Sequence, residues 1–262
     1  MRLDQNSFTI RIASSPEDVA GAQRLRYRVF VEEMGAHTSP EDAALRLERD
    51  AFDAHFDHLV LIDEAARPQD PLDRVVGAYR LMRSDVARAG PGFYGQSEYD
   101  LSLLLDSPRA SVELGRSCVH PDYRGGMAMH LLWSAVGEYV TRNDIEILFG
   151  VASFPGANPE PLAEPLSMLW QNHLAPPDLR VRTLPQHYVE MNRIPREQID
   201  QKRAMLAVPS LIKAYLRLGG CVGDGAYCDH EFNTVDVCLV MDTGRMQSRY
   251  RDYYGRTEGI LK

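Results

Sequence analysis

The segment from residue 110 to residue 154 limits the possible folds more than any other part of the sequence. Residues 110–119 have a strand pattern, residues 127–141 have helical periodicity, and residues 145–154 return as a strand. A strand, a helix and a strand joined in this way form a crossover unit whose two strands lie parallel and side by side. The sequence therefore predicts a sheet with at least one parallel pair.

The other strand patterns favour antiparallel pairing. Residues 58–62 and 74–81 predict two strands joined by the Pro- and Asp-rich segment 67–73, and hence an antiparallel pair. Local periodicity and helix-end signals predict a first strand at 8–12, a helix from 14 to about 33, a helix at 209–218 and a final strand at 234–241. The predicted fold class is α/β, with a mixed, mostly antiparallel, twisted sheet flanked by helices.

Length and composition predict a single domain with a short appendage. The chain has 262 residues, 44% of them hydrophobic, which is enough for one sizeable core. Because no internal repeat or low-complexity linker interrupts it, we expect one domain over residues 1–242 and a basic tail over residues 243–262. The tail has an excess of cations, namely Arg245, Arg249, Arg251, Arg256 and Lys262 against Asp252 and Glu258.

Net charge and hydropathy exclude several classes of function. The formal net charge is −8, so the chain has no general attraction to nucleic-acid phosphates. The N-terminus lacks the apolar run of a signal peptide, and no stretch of about 18 apolar residues is present to span a bilayer. We therefore expect a cytoplasmic protein with reduced cysteines.

The cysteine spacing disfavours a zinc site. Cys221, Cys228, His230 and Cys238 lack the closely spaced cysteine pairs of structural zinc sites. The alternation around Cys238 instead predicts a strand in which the thiol is a small apolar filler. We therefore expect no metal.

An acidic segment before the second predicted strand is the first candidate for chemistry. Glu48, Asp50 and Asp53 lie close together, with Asp57 and His58 behind them. Crowded carboxylates raise one another's pKa, which lets one act as a base. A solvated acidic loop explains the same composition and is favoured on this segment alone.

Glu113 and Arg116 lie in the predicted strand at 110–119. Side chains three residues apart point to opposite faces of a strand unless a bulge intervenes. A bulge lets both serve one cleft and frees backbone N–H groups to stabilise an oxyanion. A strand with one solvated face is an equally good explanation of the pattern.

Two glycine-rich segments flank predicted helices. Residues 120–126 precede the helix at 127–141, and free N–H groups at a helix start attract phosphate. For residues 219–225 we favour a turn between a helix and a strand. Neither segment identifies a site by itself.

Residues 112–141 resemble the strand, turn and helix of the GCN5-related N-acetyltransferase superfamily. That superfamily has Arg or Gln, two residues and then Gly-x-Gly/Ala at the turn, whereas this chain has Met127 and Met129 at the later small-residue positions. Phosphopantetheine carried by a protein lacks an adenosine diphosphate end and needs fewer phosphate contacts than coenzyme A. The resemblance implies a fold like that superfamily's and a phosphopantetheine-binding turn formed by Arg124, Gly125 and Gly126.

The chain more closely resembles the acyl-homoserine-lactone synthases, which take acyl groups from carrier protein. Three motifs match their order and spacing, namely Arg26 with Phe30, then Glu48, Asp50, Phe52 and Asp53, then Glu113 with Arg116. The resemblance implies these roles: Glu48 as base, Glu113 and Arg116 as further catalytic residues, and Arg26, Phe30, Asp50 and Asp53 as substrate-binding residues. Ala36 replaces the aromatic residue usual six positions after Phe30, which argues against a lactone product.

Nearly the whole chain resembles the ornithine–acyl-carrier-protein N-acyltransferases of ornithine-lipid synthesis. The matching strings lie at 26–34, 52–53, 57–60, 114–124, 211–219 and 232–236. The resemblance implies transfer of a (3-hydroxy)fatty acyl group from acyl carrier protein to the α-amine of ornithine, giving lyso-ornithine lipid. The donor is then the carrier protein's acyl-phosphopantetheine, with no tightly bound cofactor. A lyso-lipid product suggests transient contact with the inner membrane face, although core packing is the favoured role of the helix at 209–218.

The same resemblance implies direct attack by the amine. Cys118, with His120 nearby, is an alternative nucleophile, but a buried free cysteine is the favoured explanation. The acidic carrier protein requires a basic docking surface, for which the candidates are Arg142, Arg180, Arg182, Arg193, Arg196, Lys202 and Arg203. Rival functions are synthesis of an acyl-homoserine lactone or another N-acyl amino acid, and non-catalytic binding of acyl carrier protein.

Overall fold

The computed structural model describes residues 7–125, 127–245 and 259–261, which fall into two compact units. The first unit comprises the described parts of Met1–Met82, Leu114–Asp144 and Arg251–Lys262, and the second those of Arg83–Glu113 and Ile145–Tyr250. The division into one domain over residues 1–242 and a tail stays a prediction. Residues 246–258 and Lys262 of that tail lie outside the described residues.

Strands and helices are numbered in chain order. The strands are β1 (Phe8–Ile12), β2 (Asp57–Asp63), β3 (Val75–Arg83), β4 (Tyr99–Asp100), β5 (Ser111–Val119), β6 (Ile147–Pro155), β7 (Arg182–Thr183), β8 (Cys221–Asp229) and β9 (Thr234–Asp242). The helices are α1 (Pro16–Arg26), α2 (Pro40–Leu45), α3 (Ser84–Ala89), α4 (Ser102–Leu105), α5 (Met127–Arg142), α6 (Ala163–His173), α7 (Gln201–Ala207) and α8 (Ser210–Leu218). A π-helix over Tyr27–Glu33 continues α1 directly.

In the first unit, the strands follow the order β1-β2-β3-β5. β1 and β2 pair antiparallel, with Ile10 opposite Leu61, and β2 and β3 pair antiparallel, with Leu59 opposite Tyr79. The antiparallel pair predicted from residues 58–62 and 74–81 is therefore confirmed. Both β2 and β3 are buried along nearly their whole length, so this pair forms the centre of the unit's core.

The start of α1 is fixed by its sequence. The Ser15 side chain accepts a hydrogen bond from the Asp18 backbone N–H at 3.3 Å, and Pro16 occupies the first helical position. Leu25 then packs with Val60 of β2 in a buried apolar cluster. This packing sets the rotation of α1 and hence the direction in which its last residue points.

The crossover predicted from residues 110–154 is present as β5, α5 and β6. β5 and β6 pair parallel, with Val112 opposite Leu148, so the predicted parallel pair is confirmed. β6 pairs antiparallel with β9, β9 antiparallel with β8, β8 parallel with β7, and β7 antiparallel with β4. The predicted fold class, an α/β fold with a mixed, mostly antiparallel sheet and flanking helices, is confirmed.

The turn predicted over residues 219–225 is wrong beyond its first two positions. Gly219 ends α8 in the left-handed conformation, with a φ of 100°, but β8 begins soon afterwards. A β-carbon on Gly223 would lie 2.9 Å from the Val181 carbonyl oxygen, and Gly225 has a φ of 90°. The register between β8 and β9 shifts across these glycines. They therefore allow a bulged strand to pass close to its neighbour.

The apolar stripe of α8 packs into the core of the second unit, as predicted, because Ile212, Tyr215 and Leu218 are buried. Among the described residues, no helix is long and apolar enough to cross a membrane. Cys238 is buried in β9, as its strand pattern predicts. Within the same described ranges, no three or more His, Cys, Asp or Glu side chains are grouped to hold a metal ion.

Candidate active site

Arg26, the last residue of α1, is fully buried and lies at the centre of a cluster of charged side chains. Its Nε donates to a carboxylate oxygen of Glu48, and its Nη2 donates to the Glu48 carbonyl oxygen at 2.7 Å. Its Nη1 donates to Asp53 Oδ1 at 2.8 Å, and its Nη2 also reaches Asp53 Oδ2 at 3.1 Å. One guanidinium group therefore fixes two of the predicted site residues.

Glu48 follows α2, whose C-terminal cap is Arg46 in the left-handed conformation, with a φ of 53°. The Glu48 N–H donates to the Gln23 carbonyl oxygen at 3.1 Å, and its second carboxylate oxygen accepts a hydrogen bond from Arg116 Nε at 3.0 Å. Burial alone would raise the pKa of Glu48, but the charges of Arg116 and Arg26 outweigh burial and lower that pKa. Glu48 is therefore ionised at neutral pH.

Arg80 of β3 is a second buried cation, and sequence reasoning missed it. Its side chain is 1% exposed, and its Nη1 donates to both carboxylate oxygens of Asp50 at 2.7 Å and to Asp53 Oδ1 at 2.8 Å. Its guanidinium group also lies 4.4 Å from the centre of the Phe56 ring. A charged residue inside the largely apolar run of β3 is the sequence signal that points to it.

Asp53 is held from several sides. Besides Arg26 and Arg80, the Gln23 amide donates to its Oδ2 at 2.9 Å. Burial by itself raises the pKa of the Asp53 carboxyl, but the charges and hydrogen bonds of the two arginines lower it well below its usual range. The His58 Nε2 lies 2.9 Å from the Asp53 carbonyl oxygen, and burial lowers the pKa of this imidazole, so the ring is uncharged at neutral pH.

Asp50 and Arg116 form the most exposed edge of the cluster. Their side chains are 20% and 12% exposed, whereas the Arg26 side chain is completely buried. The Arg116 Nη2 lies 3.4 Å from Asp50 Oδ2. Arg116 also has a φ of 49°, a left-handed conformation that costs about 1 kcal/mol or more in a residue with a side chain. The backbone thus leaves regular strand geometry at Arg116, in the strand where a bulge is one of the two explanations of the sequence pattern.

The charge cluster contains three guanidinium groups and three carboxylates, those of Arg26, Arg80, Arg116, Glu48, Asp50 and Asp53. Burial of such ions is tolerated because each is paired and hydrogen-bonded. At the edge of the cluster, one carboxylate and one guanidinium lie side by side. This arrangement is complementary to the ammonium and carboxylate groups of an α-amino acid.

Two other predicted site residues have different surroundings. Glu113 is buried in the second unit, where its carboxylate accepts hydrogen bonds from the backbone N–H groups of Tyr94 at 2.8 Å and Gly95 at 2.7 Å. Phe30 is half-buried and packs against the apolar cluster that contains Leu25. The catalytic role of Glu113 and the substrate-binding role of Phe30 stay predictions.

The predicted phosphopantetheine-binding turn is described as far as Gly125, which has a φ of 77°, while Gly126 lies outside the described residues. Arg124 Nε donates to the Val119 carbonyl oxygen at 3.0 Å. The two terminal nitrogens of Arg124 donate to the two carboxylate oxygens of Glu33, each at 2.6 Å. The role of this turn in binding the donor stays a prediction.

Cys118 is buried in the apolar cluster, as predicted. Burial raises the pKa of its thiol to about 12, so the sulfur is protonated at neutral pH and is a poor nucleophile. The nearby His120 contacts Arg28 through Nε2 and accepts a hydrogen bond from the Asp122 N–H at Nδ1, at 3.2 Å. These contacts favour a structural role for Cys118.

Residues 25–134 match the family model of an acetyltransferase (GNAT) domain. Over 250 residues, the chain is 52% identical to an L-ornithine N(alpha)-acyltransferase of Rhodobacter capsulatus, and the match covers 95% of each chain. An L-ornithine N(alpha)-acyltransferase of Brucella abortus is 43% identical over 251 residues, covering 95% of this chain and 89% of the relative.

Two solved structures have a similar fold. FeeM, an N-acyl amino acid synthase from uncultured soil microbes, has a TM-score of 0.54 at 11% identity, covering 94% of this chain and 97% of that one. BjaI, a CoA-dependent acyl-homoserine lactone synthase, has a TM-score of 0.52 at 15% identity, covering 97% of this chain and 92% of that one. At these identities the likeness concerns the fold alone.

Proposed function

We propose that this chain, which belongs to the family of L-ornithine N(alpha)-acyltransferases, transfers a fatty acyl group to the α-amine of ornithine. The structural observation that best supports this acceptor is the exposed edge of the charge cluster, where Asp50 and Arg116 lie together. An amino acid brings the complementary pair of charges. The product is an N-acyl-ornithine, the lyso-ornithine lipid.

In this proposal, Arg116 binds the α-carboxylate of ornithine, and Asp50 attracts an ammonium group of the same molecule. A guanidinium group is always charged at neutral pH, and its planar fork fits a carboxylate. Arg26 and Arg80 are too deeply buried to contact the substrate. They instead hold the three carboxylates of the charge cluster in place. Contacts at two points orient the α-amine toward the donor. Such orientation lowers the barrier of the transfer step and so increases its rate.

Glu48 is the proposed base, acting directly or through a water molecule. Burial raises its pKa, but the charges of Arg116 and Arg26 outweigh burial and lower that pKa, and a carboxylate with a lowered pKa is a weak base. An ornithine carboxylate bound to Arg116 would neutralise part of the charge next to Glu48. The proton affinity of Glu48 would then rise, so acceptor binding and activation of the base are coupled in this mechanism.

The chemical step is a direct transfer without an acyl-enzyme. The neutral α-amine nitrogen attacks the thioester carbonyl carbon, the new C–N bond forms, and the nitrogen loses one proton to Glu48. The C–S bond then breaks, and the departing sulfur takes up this proton from Glu48, directly or through a water molecule. The donor leaves as a free thiol and Glu48 is ionised again. The protonated, buried thiol of Cys118 supports this route over an acyl-cysteine intermediate.

We propose acyl carrier protein as the donor, with the phosphopantetheine arm bound at the turn of Arg124 and Gly125. The transfer consumes only a thioester and an amine, so it requires no additional cofactor. The carrier protein is acidic, and its docking on exposed basic residues is expected to weaken as salt concentration rises. The amphiphilic product is proposed to leave toward the inner membrane face.

One incubation tests the proposal. The purified chain is mixed with defined acyl-loaded carrier proteins and a panel of amino acids, and the products are identified by mass spectrometry. The expected product is Nα-acyl-ornithine. If the product is a lactone or the N-acyl derivative of another amino acid, ornithine is not the acceptor. Binding of the carrier protein without turnover would indicate a non-catalytic binding module.

A further inference from the structure

The π-helix over Tyr27–Glu33 brings two charged residues to one face. In a π-helix the backbone hydrogen bonds join residues five apart, as seen where the Met34 N–H donates to the Val29 carbonyl oxygen at 3.1 Å. Residues five apart therefore lie about one turn apart, on the same side of the helix. Arg28 and Glu33 have this spacing, and both contact the segment from His120 to Arg124.

Glu33 occupies the outer end of the Arg124 guanidinium. Each carboxylate oxygen lies 2.6 Å from one terminal nitrogen of Arg124, and these hydrogen bonds lower the pKa of Glu33, so it is ionised at neutral pH. The two side chains are 40% and 42% exposed. An ion pair this exposed is weakly held, and another anion can replace one of its members.

Arg28 supplies a second cation beside this pair. Its guanidinium contacts the Nε2 of His120, and within the described part of the chain no carboxylate lies at ion-pair distance from it. Burial and the charge of Arg28 lower the pKa of His120, while the charges of Asp122 and Asp73 act in the opposite direction, so the imidazole is uncharged at neutral pH. Arg28, Arg124 and Glu33 together carry one net positive charge.

We propose that Arg28 and Arg124 bind the phosphate of the acyl donor's phosphopantetheine arm, and that Glu33 occupies Arg124 until that phosphate replaces it. A phosphate diester has one negative charge and two oxygens that fit a guanidinium fork, as a carboxylate does. Glu33 is thus an internal competitor of the donor. This inference rests on the proposed function for the identity of the donor arm.

The test compares two donor analogues that differ only in the phosphate. Acyl-4′-phosphopantetheine and acyl-pantetheine, each with a thioether in place of the thioester, are titrated into the full chain by calorimetry. The ratio of their two dissociation constants isolates the phosphate contribution, and it requires neither ornithine nor turnover. Three variants are compared with the unaltered chain, namely Glu33→Gln, Arg28→Gln and Glu32→Gln.

Glu33→Gln removes the competitor and is expected to strengthen binding of the phosphorylated analogue by about fivefold, the effect of one exposed ion pair. Binding of the analogue without phosphate should not change. Arg28→Gln is expected to weaken only the phosphorylated analogue. Glu32→Gln is the matched control, because Glu32 pairs with Arg46 instead of the turn, and it should leave the ratio unchanged.

Several results would overturn the inference. If Glu33→Gln weakens the phosphorylated analogue or leaves it unchanged, Glu33 only positions Arg124 or plays no part. If Arg28→Gln leaves the ratio unaltered, Arg28 does not meet the phosphate, and if the unaltered chain binds both analogues equally, no phosphate site exists. Thermal unfolding curves confirm that each variant is folded, and failure to acylate ornithine would instead contradict the proposed function.

Discussion

Two of the places in the first unit where arginine pairs with carboxylate, the charge cluster and the turn after β5, differ in how strongly the ions are held. In the charge cluster, Arg26 is completely buried and each ion has charged partners on more than one side. At the turn, Arg124 and Glu33 form one pair in which both side chains are about 40% exposed. Water competes for the hydrogen bonds of the exposed Arg124–Glu33 pair but hardly for those of the buried charge cluster. The cluster is therefore a fixed framework, while the exposed pair can exchange partners.

The largest effect is expected from Glu48→Gln, which removes the proposed base with little change in shape. Turnover should fall by about 10²- to 10⁴-fold, the typical contribution of a general base. It is measured as kcat with acyl carrier protein and ornithine, on protein shown to be folded by circular dichroism. Glu32→Gln makes the same substitution in an exposed pair and should keep normal turnover. Near-normal turnover of folded Glu48→Gln would exclude Glu48 as the base.

Matched substitutions of the two arginines compare the regions directly. Arg26→Met takes one of two arginine partners from each of two carboxylates, those of Glu48 and Asp53, and should lower the free energy of unfolding by about 3–5 kcal/mol. Arg124→Met disrupts an exposed pair and should cost at most about 1 kcal/mol. Both values come from urea unfolding followed by circular dichroism. Equal losses in the two variants would contradict the distinction between framework and exchangeable pair.

The pH dependence of stability distinguishes the buried ions in another way. The pKa values of Glu48 and Asp53 are lower in the folded chain than their ordinary values, through the arginine charges that outweigh burial. The stability they contribute is fully present above their unfolded pKa values near 4 and is lost as pH falls below that range. Urea unfolding at a series of pH values should show this loss. Arg26→Met should weaken the dependence, and an unchanged acid limb would argue against the cluster as its source.

The smallest effect is expected at Cys118, which is buried beside the charge cluster but in apolar surroundings. Cys118→Ala removes one small buried group and should cost about 1 kcal/mol of unfolding free energy. Turnover should persist, since the protonated thiol takes no part in the proposed transfer. A folded but inactive Cys118→Ala variant would support an acyl-cysteine route instead.

Local patterns in the sequence predicted much of the fold but left specific gaps. The crossover from β5 to β6 and the antiparallel pair β2–β3 were predicted because their apolar periodicity is continuous. The glycines of residues 219–225 favour a turn in the sequence, although β8 begins at Cys221, and only the close approach of Gly223 to Val181 shows that this glycine serves strand packing. The two-residue strands β4 and β7 are too short for any periodicity and exist only through their pairing.

The candidate site was predicted unevenly for the same reason. The spacing of the motifs predicted Glu48, Asp50, Asp53 and Arg116 as site residues, and the structure brings them together in one cluster. Arg80 was missed because its partners lie 27 and 30 positions earlier in the chain. No spacing rule connects a strand residue to an acidic loop that distant.

The sequence by itself determined the crossover from β5 to β6, the antiparallel pair β2–β3 and the kinds of charged group available, because these follow from periodicity and composition. Only the tertiary structure decided which carboxylate meets which arginine, since partners such as Glu48 and Arg116 are 68 positions apart. It also decided their ionisation. A carboxylate's pKa depends on burial and on the charges within a few ångströms, and both are set only when the chain has folded.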